Sequence, residues 1–222
     1  SAMTRVNNLL ATKGIRFTNS FVDFPVCCPS RATFLTGQSA KNSGILGNTP
    51  QTNGGYGKLH STAGNTLPVW LQNAGYFTAH VGKYLNGYGT EIPGTVKPPG
   101  WNTWRGLIDP YTYSFNRFKI SEDGVIKSYT TYQTDFLTNQ AVDIINSRAS
   151  DSKPFFLNVW YLAPHSGEAR FNGIPIPESA PRHRGLMASE PLPKPPSYNE
   201  ADVSDKPRFI SQISLMDAVA QD

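Results

Sequence analysis

The sequence predicts an α/β domain with a mainly parallel or mixed sheet flanked by helices. Three observations lead to this prediction. Segments with helical apolar spacing alternate along the chain with segments that have the two-residue period of a strand. Residues 155–162 are apolar almost throughout, as in a strand buried in a parallel sheet. The 222 residues include 19 glycines and 18 prolines, which indicates a loop-rich, enzyme-like domain.

The first third of the chain predicts three helices and two strands. Residues 4–13 place valine and leucines at helical spacing before a glycine that ends the helix. Residues 15–22 alternate phenylalanines with polar residues, which predicts a strand. Short helices are predicted over 30–36 and 65–74, each followed by a glycine, and the second is capped by its first residue, an asparagine. A strand is predicted over 76–81.

Two later segments, residues 84–109 and 164–207, are rich in glycine or proline and predict long loop excursions over the surface. No internal repeat divides the chain. We therefore predict one domain over residues 1–222, with these two excursions.

The remaining segments predict a hairpin, two helices and a further strand. Residues 115–120 and 125–129 flank a Glu-Asp-Gly turn and predict the hairpin. A long helix is predicted from residue 134 or 135, a strand over 155–162 and a last helix over 210–220. The apolar face of the long helix consists of Phe136, Ala141, Ile144 and Ile145.

Composition excludes several classes of protein. The 20 Lys and Arg against 16 Asp and Glu give a net charge of +4, which is too diffuse to indicate a nucleic-acid partner. No apolar run approaches the roughly 20 residues that cross a bilayer, so no membrane span is predicted. The only cysteines, Cys27 and Cys28, are adjacent and rarely bridge each other in proteins, so the chain is not a disulfide scaffold.

The segment Cys27-Cys28-Pro29-Ser30-Arg31 has the composition of a helix start. The free amides of a helix N-terminus, together with Arg31, would bind an anion. For an isolated cysteine pair, two buried structural thiols are the more common outcome. A Cys-dependent phosphatase is excluded, because the spacing between its cysteine and arginine is longer. Residues 27–31, 82–83 and 164–165 each follow a predicted strand, so we expect them to converge on one pocket.

Residues 27–37 resemble the signature of the type I sulfatases, in which the first cysteine of C-x-P-S-R is oxidised to formylglycine. The resemblance implies an alkaline-phosphatase-like α/β fold and hydrolysis of sulfate monoesters. It also implies that Cys27 becomes the hydrated aldehyde nucleophile, that Arg31 steadies it, and that hydrolysis proceeds in two steps through a sulfated enzyme. A maturation enzyme that generates formylglycine is the implied protein partner.

Three further segments resemble the branch of N-acetylglucosamine-6-sulfatases and heparan endosulfatases: residues 82–86, 98–107 and 155–166. This resemblance implies a sulfated carbohydrate substrate such as N-acetylglucosamine 6-sulfate. Lys83 would stabilise charge on the sulfate oxygens, and His165 would bind sulfate or protonate the leaving oxygen. Asn86 is the third expected substrate-binding residue. Leu85 occupies the place where the commoner form of the lysine motif has histidine.

The family uses a divalent cation, usually Ca²⁺, held by hard oxygen ligands. The resemblance implies that residue 27, as formylglycine, faces this metal. It also implies an Asp-Asp pair before the helix at residues 4–13 and an Asp-Asn or Asp-His pair beyond the helix at residue 210, and neither is present. We therefore expect an internal or N-terminal portion of a longer sulfatase, whose carboxylate ligands lie elsewhere and which is inactive on its own. Export to the periplasm or the cell exterior is implied by the family.

Two other functions remain open from the sequence. A phosphonate or phosphodiester hydrolase on the same scaffold shares the C-x-P-S-R motif. Alternatively, the chain is a catalytically inactive module in which the cysteines stay as thiols.

Overall fold

The structure, a computed structural model, describes residues 3–191 and 193–217. It confirms the α/β class with a five-stranded mixed sheet in the order β4-β3-β2-β1-β5. Strand β1 is parallel to both of its neighbours, β2 and β5, whereas β3 is antiparallel to β2 and β4. The strands are β1 (Phe77–Gly82), β2 (Thr103–Leu107), β3 (Phe118–Glu122), β4 (Val125–Tyr129) and β5 (Phe155–Trp160).

The helices of the described residues are α1 (Thr4–Val6), α2 (Cys27–Thr36), α3 (Ala40–Ser43), α4 (Tyr56–His60), α5 (Leu67–Asn73), α6 (Gln133–Arg148) and α7 (Arg208–Ser211). Of these, α2 and α4 pack on one face of the sheet and α6 packs on the other. On one face, Leu35 of α2 and Tyr56 of α4 belong to the same apolar cluster as Trp104 of β2. On the other, Leu137 and the rest of the buried stripe of α6 pack against Val81 of β1. The burial of these two clusters supplies the main apolar stabilisation of the domain.

The carboxyl end of β1 requires a glycine at position 82. Gly82 has a φ of +111°, and a Cβ there would lie 2.0 Å from the Trp160 carbonyl oxygen. This close approach brings β1 against β5 and lets the Lys83 amide donate to the same carbonyl at 2.8 Å. The sequence therefore places Lys83 at a fixed point directly beyond the central strand.

Gly82→Ala is expected to lower the free energy of unfolding by about 2–4 kcal/mol, because the methyl group overlaps a backbone carbonyl at a positive φ. Urea unfolding measures this loss. Gly64→Ala is the matched control, since a Cβ at Gly64 meets nothing within 4 Å. Equal stability of the two variants would contradict the steric explanation.

The predicted surface excursion over 84–109 is wrong. Strand β2 lies inside this segment, and Tyr88, Trp101 and Trp104 are buried. The Tyr88 hydroxyl donates to the Gly94 carbonyl and accepts from the Trp104 indole N–H at 2.8 Å, which turns the loop inward. The glycines and prolines on both sides of β2 led to the prediction of a loop, although the aromatic side chains of the segment are buried in the core.

The N-terminal prediction is correct only in part. The helix predicted over 4–13 is present as α1 followed by a π-type helix over Asn7–Ala11, but none of its residues is buried. The strand predicted over 15–22 does not form, and Phe21 is 91% exposed. A strand needs a hydrogen-bonding partner, and no segment among the described residues pairs with this one.

The prediction of the third helix is largely confirmed as α5. It begins at Leu67, with Thr66 as its cap residue. Asn65, the predicted cap, instead accepts a hydrogen bond from the Trp70 indole N–H at 2.8 Å.

The hairpin, the long helix and the parallel pairing of β5 are confirmed. Asp123 and Gly124 both have positive φ, as a tight hairpin turn requires. In α6, Ile145 is 44% exposed rather than part of the buried face. At about 100° per residue, it lies at the margin of the stripe centred on Leu137. Strand β5 is only partly buried, because it forms an edge of the sheet in the described residues.

The chain divides into two compact units, Ser1–Glu178 and Ser179–Asp222, instead of the single predicted domain. The predicted loop over 164–207 is largely irregular, apart from the short hairpin β6 (Arg170–Phe171) with β7 (Ile174–Pro175) and a 3-10 turn, Pro181–His183. Among the described residues beyond 178, few apolar side chains are buried, which explains the division.

The helix predicted over 210–220 is wrong for the part that is described. Helix α7 ends at Ser211, whose hydroxyl donates to the Arg208 carbonyl. The Asn199 side chain then bonds both the N–H and the carbonyl of Met216, in place of a helical partner. Residues 218–220 of the predicted helix lie outside the described residues.

Candidate active site

Cys27 is the first residue of helix α2, three positions earlier than predicted. Val26 precedes it in an extended conformation, and Pro29 occupies the first turn, where a missing N–H costs little. The Cys28 amide donates to Asn48 Oδ1 at 2.9 Å, and the Ser30 amide to the Val26 carbonyl at 3.0 Å. The expected cluster of free amides is therefore largely used within the protein, and positive side chains supply the charge of the site.

The two cysteines occupy different environments. Cys27 is partly exposed and lines a cleft of about 430 Å³ together with Arg31 and Trp160. Cys28 is fully buried, and burial raises the pKa of its thiol to about 11 although the Gly55 and Asn86 amides face the sulfur. Cys28 is thus a protonated core residue, and Cys27 is the sulfur that a reagent can reach.

Arg31 connects α2 to the end of β1. Its Nη1 donates to the Lys83 carbonyl at 2.8 Å, and its guanidinium lies 4.6 Å from the centre of the Trp160 ring. Burial lowers the pKa of Arg31, while the neighbouring Cys27 raises it; an arginine remains charged in either case. Arg31 therefore supplies a fixed positive charge and holds the backbone of Lys83.

Lys83 brings a second positive charge to Cys27. Its side chain lies next to Cys27, and Nζ donates to the Tyr113 hydroxyl at 3.2 Å. The residue is only 3% exposed, and burial lowers the pKa of its ammonium, whereas Cys27 and Asp109 raise it. The structure thus brings residues 27, 31 and 83 together, as the sequence predicted.

Asn86 lies in the same cluster because it hydrogen-bonds Tyr113, a residue that the sequence motifs did not indicate. Its Nδ2 donates to the Tyr113 hydroxyl at 2.8 Å. Tyr113 comes from a 3-10 turn, Tyr111–Tyr113, after β2, and burial raises the pKa of its phenol. No local signal marks Tyr113; only the route of the chain after the unpredicted β2 could have found it.

His165 lies at the margin of this cluster. It follows β5, its side chain is exposed, and its Nδ1–H donates to the Ser166 carbonyl at 2.7 Å. The imidazole and Tyr113 rings are 5.3 Å apart between centres, so His165 joins Lys83 through Tyr113. The three predicted motifs do meet, although only two of them follow strands.

His80, within the strand predicted over residues 76–81, lies fully buried beneath the site. Its ring stacks on Trp104 at 4.5 Å between centres, Nδ1 accepts from Asn158 Nδ2, and Nε2 donates to the Gly82 carbonyl. Burial lowers the pKa of His80 to about 3. The neutral imidazole therefore supports the backbone turn that presents Lys83.

This burial predicts a pH dependence of stability. Below the ordinary histidine pKa of 6.5, the unfolded chain binds a proton that folded His80 refuses. The contribution of His80 to the free energy of unfolding is present in full above pH 6.5. It falls by roughly 1.4 kcal/mol per pH unit as the pH drops toward 3. Urea unfolding between pH 7 and 5 measures it. His80→Gln should remove this part of the slope and the exposed His183→Gln should retain it; identical slopes for all three proteins would contradict the assignment.

The described residues do not form a calcium site by themselves. They contain no group of three or more His, Cys, Asp or Glu side chains placed to hold a metal ion. Asp23, the acidic residue nearest Cys27 in sequence, accepts the Ala40 amide at the start of α3. Among the described residues, no helix is long and apolar enough to cross a membrane.

Comparison with known proteins gives consistent matches. The sulfatase family model matches residues 2–208. An arylsulfatase from Volvox carteri is 37% identical over 91% of this chain and 33% of its own length. N-acetylglucosamine-6-sulfatase from Homo sapiens is 34% identical over 74% of this chain and 31% of its own length. The chain thus spans about a third of the curated relatives it matches.

One solved structure is that of a protein in complex with its substrate, D-glucosamine-2-N,6-O-disulfate. It superposes with a TM-score of 0.60 at 28% identity, over 86% of this chain and 34% of that one. This similarity confirms the predicted sulfatase-type fold.

Proposed function

Because this chain belongs to the sulfatase family, we propose that it carries part of the active site of an enzyme that hydrolyses sulfate monoesters. The substrate is a sulfated sugar such as N-acetylglucosamine 6-sulfate. The observation that carries the proposal is the position of Cys27 beside two cations: Arg31, which lines the same cleft and donates to the Lys83 carbonyl, and the buried Lys83. A reactive position flanked by two cations fits an anionic ester.

Residue 27 acts as formylglycine in this proposal. Its surroundings fit the modification, because Cys27 is accessible in the cleft whereas Cys28 is buried. The hydrated aldehyde supplies one hydroxyl to attack sulfur and a second to release sulfate afterwards. Arg31 holds the backbone of Lys83 in place, and the Lys83 ammonium stabilises the negative charge that grows on the sulfate oxygens.

His165 and Asn86 complete the proposed substrate contacts. The exposed imidazole of His165 reaches a bound ester from the Tyr113 side of the cluster, where it binds sulfate or protonates the leaving oxygen. The sugar assignment is supported by the human relative, named for N-acetylglucosamine 6-sulfate, and by the solved glucosamine disulfate complex. The proposal has three further parts: calcium ligands elsewhere in the polypeptide, a partner enzyme that generates formylglycine, and export from the cytoplasm.

The test compares two substrate classes. The full-length protein, produced together with the maturation enzyme, is assayed in parallel on an aryl sulfate and on the matching aryl phosphodiester. We expect faster turnover of the sulfate. Faster turnover of the diester would replace the proposal with a phosphodiester hydrolase, and absence of both activities in protein modified at residue 27 would overturn it.

A further inference from the structure

Tyr113 occupies the place where the two halves of the site meet. Lys83 Nζ lies 4.8 Å from the centre of the Tyr113 ring, and the centre of the His165 ring lies 5.3 Å from the same ring centre. Its hydroxyl is the common acceptor for Lys83 and Asn86. We infer that Tyr113 is a substrate-contacting residue, whose hydroxyl donates a hydrogen bond to the bridging oxygen of the sulfate ester. This inference rests on the proposed function.

The Tyr113 hydroxyl has one hydrogen-bonding group, its proton, that no part of the protein uses among the described residues. A tyrosine hydroxyl has two lone pairs and one proton. The ammonium of Lys83 and the Nδ2 of Asn86 can only donate, so both lone pairs of Tyr113 are occupied. Among the described residues, none accepts a hydrogen bond from this hydroxyl. Its proton is therefore left for a group that binds from outside.

The orientation of the Asn86 amide is consistent with a free proton on the Tyr113 hydroxyl. Asn86 Oδ1 is buried without a hydrogen-bond partner in the described part of the chain. The structure places the donor Nδ2 on the Tyr113 hydroxyl at 2.8 Å, so the amide offers this hydroxyl no acceptor.

The state of the phenol makes it a donor throughout the reaction. Burial is the main cause that raises its pKa, and the charge of Asp109 acts in the same direction. The hydroxyl stays protonated when the site works. Tyr113 thus stabilises charge by a hydrogen bond, and no proton needs to leave it.

The order of residues across the site indicates which oxygen it meets. Cys27 lies next to Lys83, Lys83 contacts Tyr113, and Tyr113 contacts His165. In a displacement at sulfur, the leaving oxygen lies on the far side of sulfur from the nucleophile. A nucleophile at residue 27, with Lys83 over the sulfate oxygens, therefore places the bridging oxygen toward Tyr113 and His165.

The experiment is Tyr113→Phe in the full-length protein, assayed on aryl sulfates whose leaving groups differ in acidity and on N-acetylglucosamine 6-sulfate. We expect kcat/KM to fall by about 10- to 100-fold for the poorest leaving groups, because their oxygen gains the most charge. The loss should shrink toward the most acidic phenol. Tyr111→Phe is the control, since Tyr111 lies in the same turn and contacts Lys119 instead.

A loss in Tyr113→Phe that is equal for all leaving groups, or absent, would overturn the inference while wild-type activity upholds the proposed function. A wild type that hydrolyses no sulfate ester would overturn both. The unfolding free energy of each variant is compared with that of the wild type. The phenylalanine keeps every ring contact of Tyr113, so a folded variant is expected.

Discussion

Cys27→Ala in the full-length protein is expected to reduce sulfate ester hydrolysis by about 10⁴-fold or more, because it removes the nucleophile. The side chain is partly exposed and its neighbours Arg31 and Lys83 remain, so binding of the sulfate group is affected much less than turnover. The measurement is kcat on an aryl sulfate, with protein produced alongside the maturation enzyme.

Cys28→Ala is the matched control for this change. The same atoms are removed one residue further on, but from a sulfur that is 0% exposed. We expect activity within a few-fold of wild type and a loss of about 1 kcal/mol in the free energy of unfolding, from the small cavity that is left. If Cys28→Ala were the inactive variant and Cys27→Ala the active one, the assignment of the nucleophile would be wrong.

Lys83→Met is expected to lower kcat by about 10²- to 10³-fold, because the variant keeps the length of the side chain and loses the charge that stabilises the sulfate oxygens. Lys58→Met is the control, since Lys58 is exposed on α4. Equal kcat values for the two variants would show that the ammonium of Lys83 takes no part in the reaction.

The pH profile gives a second readout for Lys83. Burial lowers the pKa of the Lys83 ammonium from its ordinary value of 10.5, and the neighbouring Cys27 and Asp109 oppose this shift. Activity should therefore decline on the alkaline side below pH 10.5, and this decline should be absent from the residual activity of Lys83→Met.

Local patterns predicted the elements that are stabilised locally. The hairpin turn at Asp123 and Gly124 needs positive φ, and an Asp-Gly pair is typical of such a turn. Strand β1 and helix α6 have clear apolar periodicity in the sequence. The motif at residues 27–31 and Lys83 were found because their chemistry depends on neighbours in sequence. Their convergence was predicted from one topological rule, that ligands gather at the carboxyl ends of parallel strands. The rule holds for Lys83 after β1 and His165 after β5, whereas no strand forms over residues 15–22 ahead of the motif at 27–31.

Elements that depend on distant contacts were missed or wrongly assigned. Strand β2 is specified by the burial of Trp104 against His80, and Tyr113 enters the site only because β2 ends beside it. Residues 15–22 have the alternation of a strand but no partner in the described residues, so their phenylalanines stay exposed. A period can indicate which face would be buried, but only the rest of the fold determines whether something covers it.

The most direct test of the account is the mass of the tryptic peptide of residues 17–31, which contains both cysteines. The full-length protein is produced together with the maturation enzyme, and tandem mass spectrometry locates the modification. The account predicts an aldehyde at residue 27 and an unmodified thiol at Cys28. An active enzyme with thiols at both positions would contradict it.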